Sequence, residues 1–145
     1  MAVVGPGEAS VEELRLAHAV GKALAEAGAV VVTGGLGGVM AAACEGASDA
    51  GGTTIGILPG TERTDANQWV TIAIATGLGE LRNGLVVRAA DALIAIGGAY
   101  GTLSEIALAL RTAVPVIGLG TWKIEGLRIA EDAGQAVALA IGSGT

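Results

Sequence analysis

Short, nearly continuous apolar runs alternate along this chain with longer segments in which apolar and polar positions recur at helical spacing. The runs predict strands near 2–4, 29–33, 54–58, 70–74, 92–96 and 114–118. The longer segments predict helices near 10–27, 38–50, 80–90, 102–112 and 122–141. A run that is apolar at every position, not every second one, belongs to a strand buried on both faces, as in a parallel sheet. Strands alternating with helices imply right-handed crossovers. The expected fold class is α/β: a doubly wound parallel sheet of about six strands with helices on both faces. Ser10-Val11-Glu12-Glu13 reads as a capping box opening the first helix, and Gly28 as the residue that ends it. The polar stretch from Pro59 to Asn67 reads as a loop at the carboxyl end of the third strand. Sheets of this kind take their ligands at that edge.

Composition narrows the function classes. A chain of 145 residues, 52% apolar and 15% charged, fits one domain over 1–145 with a real core and excludes disorder by composition. Eight basic against fourteen acidic residues give 8 − 14 = −6, so no cationic footprint for nucleic acid is visible. The single Cys44 excludes an internal disulfide framework and reads as a buried small residue, which fits a cytoplasmic protein. Residues 27–44 carry no charge, but the Gly34–Gly38 turn in their middle would leave backbone groups unpaired in lipid, so no membrane span is expected. The amino terminus lacks a basic region, and Gly5-Pro6-Gly7-Glu8 interrupts any apolar core, so no signal peptide is read.

Two glycine-rich turns carry the candidate chemistry. Thr33-Gly34-Gly35-Leu36-Gly37-Gly38 and Gly97-Gly98-Ala99-Tyr100-Gly101-Thr102 each follow an apolar run and precede a helix. Glycines admit a ligand close to the backbone, and the helix N-terminus offers free N–H groups and a favourable dipole. A phosphorylated ligand is the natural guest. A third turn, Gly5-Pro6-Gly7-Glu8-Ala9-Ser10, partly matches the dinucleotide fingerprint G-x-G-x-x-G, with Ser10 in place of the last glycine. The second strand ends Val32-Thr33-Gly34 without the acidic residue that would hold a ribose, which disfavours an NAD enzyme. Residues 5–10 therefore read equally as a structural turn or as a ligand contact.

Single side chains leave alternatives open. Thr102 and Glu105 have the spacing of a second capping box, so Glu105 either reaches back to the backbone or stands as a carboxylate one turn into a phosphate-binding helix. Arg82 opens a helix after Gly77-Leu78-Gly79 and is either a solvated surface residue or a phosphate clamp. His18 has no Cys or second His at ligand spacing, and no metal site is expected. Lys22 and Lys123 both look helical and surface-placed, which argues against Schiff-base chemistry.

Gly34-Gly35-Leu36-Gly37-Gly38-Val39-Met40, then Arg82, then Gly97-Gly98-Ala99-Tyr100-Gly101-Thr102-Leu103-Ser104-Glu105 resemble the Lonely Guy superfamily over nearly the whole chain. Members of that superfamily are Rossmann-like and have been labelled lysine decarboxylases, an activity not expected here. The best-known ones are phosphoribohydrolases that release a base from a nucleoside 5′-monophosphate. By this resemblance Glu105 and Arg82 match the catalytic pair, and Gly35, Gly37, Gly38, Gly98, Gly101 and Thr102 match the phosphate cradle. The hydrolases usually carry P-G-G at the second turn, a His two residues before the Arg and a Lys after it; this chain has Ile96-Gly97-Gly98, Glu80 and Asn83. Those departures look more like the branch of molybdenum-cofactor carrier proteins. The resemblance thus implies a binder or carrier of a nucleotide-like or molybdopterin-like ligand. Its alternative is a phosphoribohydrolase acting on AMP-like or cytokinin-like nucleotides, with Arg82 orienting substrate and Glu105 stabilising the ribose or directing water. The polar loop around Arg63 and Asn67 would help define the ligand. No further cofactor is implied, and apolar positions on the helices suggest a homodimer or larger homo-oligomer.

Overall fold

The structure, a computed structural model, describes residues 1–144. Its strands are β1 (Ala2–Val4), β2 (Val31–Thr33), β3 (Thr54–Leu58), β4 (Ile72–Ala75), β5 (Leu93–Ile96), β6 (Val116–Leu119) and β7 (Arg128–Ile129). They form one parallel sheet in the order β4-β3-β2-β1-β5-β6-β7. The helices are α1 (Val11–Glu26), α2 (Val39–Asp49), α3 (Arg82–Arg88), α4 (Tyr100–Arg111) and α5 (Ala133–Ser143). The doubly wound α/β fold is as expected, with seven strands in place of about six.

Strand alternation divides the core into two layers. Val3, Ile94, Ile96 and Ile117 pack with α1, α2 and α5. Ala2, Val4, Leu93, Ala95 and Val116 pack with α3 and α4. Both sides of β1 and β5 are thus buried, which is why their sequences are apolar at every position. The layers differ in cover. Ile72 and Ile74 of β4 pair with Ile55 and Ile57 and so face the α3–α4 side, yet both remain exposed because the seven-residue α3 does not reach over them.

Helices α1 and α2 cross at unusually short range. A Cβ on Gly21 would overlap the Ala43 carbonyl, and one on Gly46 would overlap the His18 carbonyl. Two backbones therefore touch where two side chains would otherwise stand. The Ser10 capping box forms as expected: Ser10 Oγ accepts from Glu13 N at 3.2 Å, and Ser10 N donates to Glu13 Oε2 at 2.8 Å. Gly28 follows the α1 C-cap with φ of +79°.

Two expectations are corrected. The helix expected over 122–141 is a loop, the short strand β7, and then α5. Gly126 takes φ of +91°, Ile124 and Leu127 pack on the α3–α4 core, and Asp132 caps α5 by accepting from Gln135 N. Three local signals, a left-handed glycine, inward apolar residues and an Asp cap, override the run of helix formers. The second change is that α4 begins at Tyr100, two residues early, so Thr102 is the third helical residue and not its cap. Among the described residues no helix is long and apolar enough to cross a membrane.

Alanine in a helix interior ordinarily gains about 1 kcal/mol over glycine. At Gly21 the collision with a backbone carbonyl reverses the sign, since overpacking costs about 1–3 kcal/mol. Gly21→Ala is expected to lower the urea midpoint without changing the m-value.

Candidate ligand-binding site

β1 lies between β2 and β5, so the turns after these three strands meet at the carboxyl edge where the winding direction reverses. Pro6 is their shared neighbour. Gly38 has φ of +62°, and a Cβ there would overlap the Pro6 and Gly7 carbonyls. Gly97 has φ of +74°, and a Cβ there would stand 2.9 Å from Pro6 Cδ and 2.6 Å from Glu13 Oε1. The two glycine-rich turns therefore close on the Gly5–Ser10 turn from either side, which brings all three expected segments together.

The nine glycines of these turns fall into two groups. At Gly5, Gly34, Gly35, Gly38 and Gly97 a Cβ would collide with the protein itself. Gly34, for example, leaves room for Arg82 Nη2 and Met40 Sδ, each 2.7 Å from its would-be Cβ. Gly7, Gly37, Gly98 and Gly101 are different. None has a positive φ, and a Cβ would meet nothing closer than 3.9 Å. Neither conformation nor internal packing demands glycine at these four places, and all four lie in the turns after β1, β2 and β5.

Helix capping marks the same place. The N-terminus of α1 is closed by Ser10 and Glu13, and that of α5 by Asp132. Helices α2 and α4 start at Gly38 and Ala99 with no side-chain cap, and α3, which continues from the turn at Gly79–Leu81, has none either. Val39 N of α2 donates to the Pro6 carbonyl at 3.1 Å. Apart from Val39 N, the first amides of α2 and α4 are left open at the Gly34–Gly38 and Gly97–Thr102 turns, whereas the Gly5–Ser10 turn serves mainly as the wedge between them.

Below the turns, on the α3–α4 side, lie the buried polar residues Arg82, Thr102 and Glu105. Arg82 Nε donates to the Ile57 carbonyl at 2.9 Å and Nη2 to the Gly34 carbonyl at 3.4 Å, while Nη1 donates to Asn83 Oδ1. Its fork is turned onto the protein's own carbonyls, so Arg82 holds the first glycine turn in place. Burial lowers the guanidinium pKa, and nearby Glu105 opposes that shift. Thr102 does not form the capping box allowed by its spacing: its Oγ1 is buried and has no hydrogen-bond partner. Glu105 is released from that role. Burial raises its carboxyl pKa to about 7, against the pull of Arg82.

Asn67 holds the first glycine turn from outside. Its backbone N donates to the Gly35 carbonyl at 2.9 Å, and its Nδ2 to the Leu36 carbonyl at 2.9 Å. These bonds draw carbonyls away from the crevice. The polarity of the 59–67 loop was the signal for it, although its role is to brace the turn; Arg63 in the same loop is exposed. The signal missed in the sequence was the aromatic one. Trp122 Nε1 donates to the Ala99 carbonyl at 3.3 Å, and Trp69 lines a groove of about 700 Å³ that begins at Gly7 and Gly38. Cys44 is buried as expected, beside Thr33 Oγ1. Among the described residues no group of three or more His, Cys, Asp or Glu is placed to hold a metal ion.

A carboxyl that titrates near 7 in the fold and near 4.5 when unfolded keeps its proton longer in the native state. Stability is then full below 4.5 and falls as pH rises through 7. Glu105→Gln is expected to flatten that slope and to be more stable than the parent at pH 8 by about 3 kcal/mol, read from denaturant midpoints at pH 5 and pH 8.

The comparisons agree with this architecture. The family model described as the SLOG cluster4 family matches residues 1–141. A protein of the archaeon Archaeoglobus fulgidus is 44% identical over 142 residues, which is 97% of this chain and 93% of that protein. The molybdenum cofactor binding protein of the phototrophic bacterium Rippkaea orientalis is 39% identical, with a TM-score of 0.94 over 99% of this chain and 96% of that one. The molybdenum cofactor carrier protein of Chlamydomonas reinhardtii is 35% identical, with a TM-score of 0.90 over 98% and 95%. The resemblance carried by the glycine turns, Arg82 and Glu105 is therefore borne out at the level of family, and the chain belongs to the SLOG cluster4 family.

Proposed function

We propose that this protein binds a phosphorylated, molybdopterin-like ligand in the crevice between the glycine turns and acts as its carrier. The carrying observation is the set of four glycines, Gly7, Gly37, Gly98 and Gly101, that nothing inside the fold requires. They flank the uncapped starts of α2 and α4, where backbone amides meet an anion without a side chain in the way. Molybdopterin ends in a phosphate, and this cradle suits one. Thr102 supplies a second point of fit. A buried hydroxyl without a partner costs stability unless a guest completes it, and Thr102 Oγ1 stands in the first turn of α4. Likeness to solved proteins that bind or carry the molybdenum cofactor supports the same class of ligand.

A second reading, hydrolysis of a nucleoside 5′-monophosphate, is favoured by one observation: a buried Glu105 carboxyl with pKa about 7 under the field of Arg82. Such a group can shift charge or direct water at neutral pH. Against it stands the use of the Arg82 fork on Ile57, Gly34 and Asn83. We also read the exposed Leu81 and Leu85 beside Ile72 and Ile74 as a contact face between copies of the chain. Light scattering is expected to give a dimer or larger assembly.

Thr102→Val separates binding from folding. Loss of an unsatisfied buried hydroxyl at constant shape should leave the melting temperature unchanged or higher. Affinity for ribose 5-phosphate, measured by calorimetry, should fall by about ten- to about 150-fold as a bond to a charged group is lost. Incubation with AMP is expected to release no adenine. Release that disappears in Glu105→Ala would replace the carrier by the hydrolase.

A further inference from the structure

The chain has only three aromatic residues, Trp69, Tyr100 and Trp122, and two of them meet at the start of α4. The Tyr100 and Trp122 rings stack with centroids 6.2 Å apart and planes inclined by 28°. Trp122 is fixed from three sides. Its Nε1 is tied to the Ala99 carbonyl, its ring packs against the α3–α4 core, and neighbouring Thr121 Oγ1 donates to the Gly97 carbonyl. Tyr100 lies on this fixed ring with 84% of its surface exposed. An exposed tyrosine is rarely wanted on a surface whose apolar content is otherwise aliphatic. Here it stands at the first residue of the uncapped helix, next to the open Gly98 and Gly101 and two residues from the unpartnered Thr102 hydroxyl.

We infer that Tyr100 and Trp122 form a stacking platform for the flat heterocyclic ring of a phosphate ester whose phosphate sits on the first amides of α4. This rests on the phosphate site proposed above and adds where the flat ring of that ligand is seated: on the Tyr100–Trp122 stack and not in the groove beside Trp69. Aromatic faces select for such rings by dispersion and quadrupole matching, with little demand on hydrogen-bond pattern. The glycines supply clearance. A Cβ at Gly98 would stand 4.0 Å from Trp122 Nε1, and one at Gly101 would enter open space.

The test compares GMP, a phosphate with a fused heterocycle, with ribose 5-phosphate, the same anion without one. The parent protein should bind GMP more tightly than ribose 5-phosphate. Tyr100→Ala should weaken GMP by about five- to about 150-fold and leave ribose 5-phosphate unchanged, while Tyr100→Phe should keep the parent values. The high exposure of Tyr100 predicts an unchanged melting temperature in both variants. Undiminished GMP affinity in Tyr100→Ala overturns the platform and leaves the phosphate site standing. So does a loss that appears in Trp69→Ala instead, which would seat the ring in the α1–α2 groove. If neither compound binds the parent, the phosphate site falls, and the platform with it.

Discussion

The parallel pairing of β1 with β2 on one side and β5 on the other is the constraint from which the rest follows. Right-handed crossovers send α1 and α2 to one face of the sheet and α4 to the opposite face. The chain must then part above β1, with the Gly5–Ser10 turn as a wedge between two turns that lead into helices without a side-chain cap. Buried polar and turn-bracing side chains are arranged with respect to that parting. Arg82 reaches it from α3, Thr102 and Glu105 from α4, and Asn67 from the loop after β3.

Much of this was legible in the sequence. The uniform apolar runs of Ala2–Val4 and Leu93–Ile96 gave their strands because a doubly buried strand has no polar position to spare. Glycine clusters marked the turns because few other residues accept both φ of +62° at Gly38 and a carbonyl against the Cα. What the sequence could not tell was which glycines the fold consumes. Gly34 and Gly37 look alike in a string, yet one makes room for Arg82 and the other stays open, a distinction that needs coordinates. The same holds for Thr102 and Glu105. Their spacing allowed a capping box, and the start of α4 two residues upstream removed it. The region after Trp122 was misjudged because a two-residue strand is shorter than any periodic signal.

Burial pushes both ionisable groups toward their neutral forms, and the charge of each opposes the shift in the other. Arg82 also donates to the Ile57 and Gly34 carbonyls, whereas the Glu105 carboxyl is raised to about 7. A carboxyl that holds its proton toward neutral pH places less negative charge beside the glycine turns than a free carboxylate would, in a chain whose net charge is −6.

The glycine contact between α1 and α2 has a consequence for the crevice. The Gly5–Ser10 and Gly34–Gly38 turns lead into helices packed backbone to backbone. The Gly97–Thr102 turn leads into α4, the partner of the short α3, and is moored to the 121–122 segment by the side chains of Thr121 and Trp122. One wall is thus braced by a backbone contact between two helices and the other by side-chain hydrogen bonds, so a substitution at Gly21 or Gly46 would disturb two of the turns together and leave the Gly97–Thr102 turn untouched.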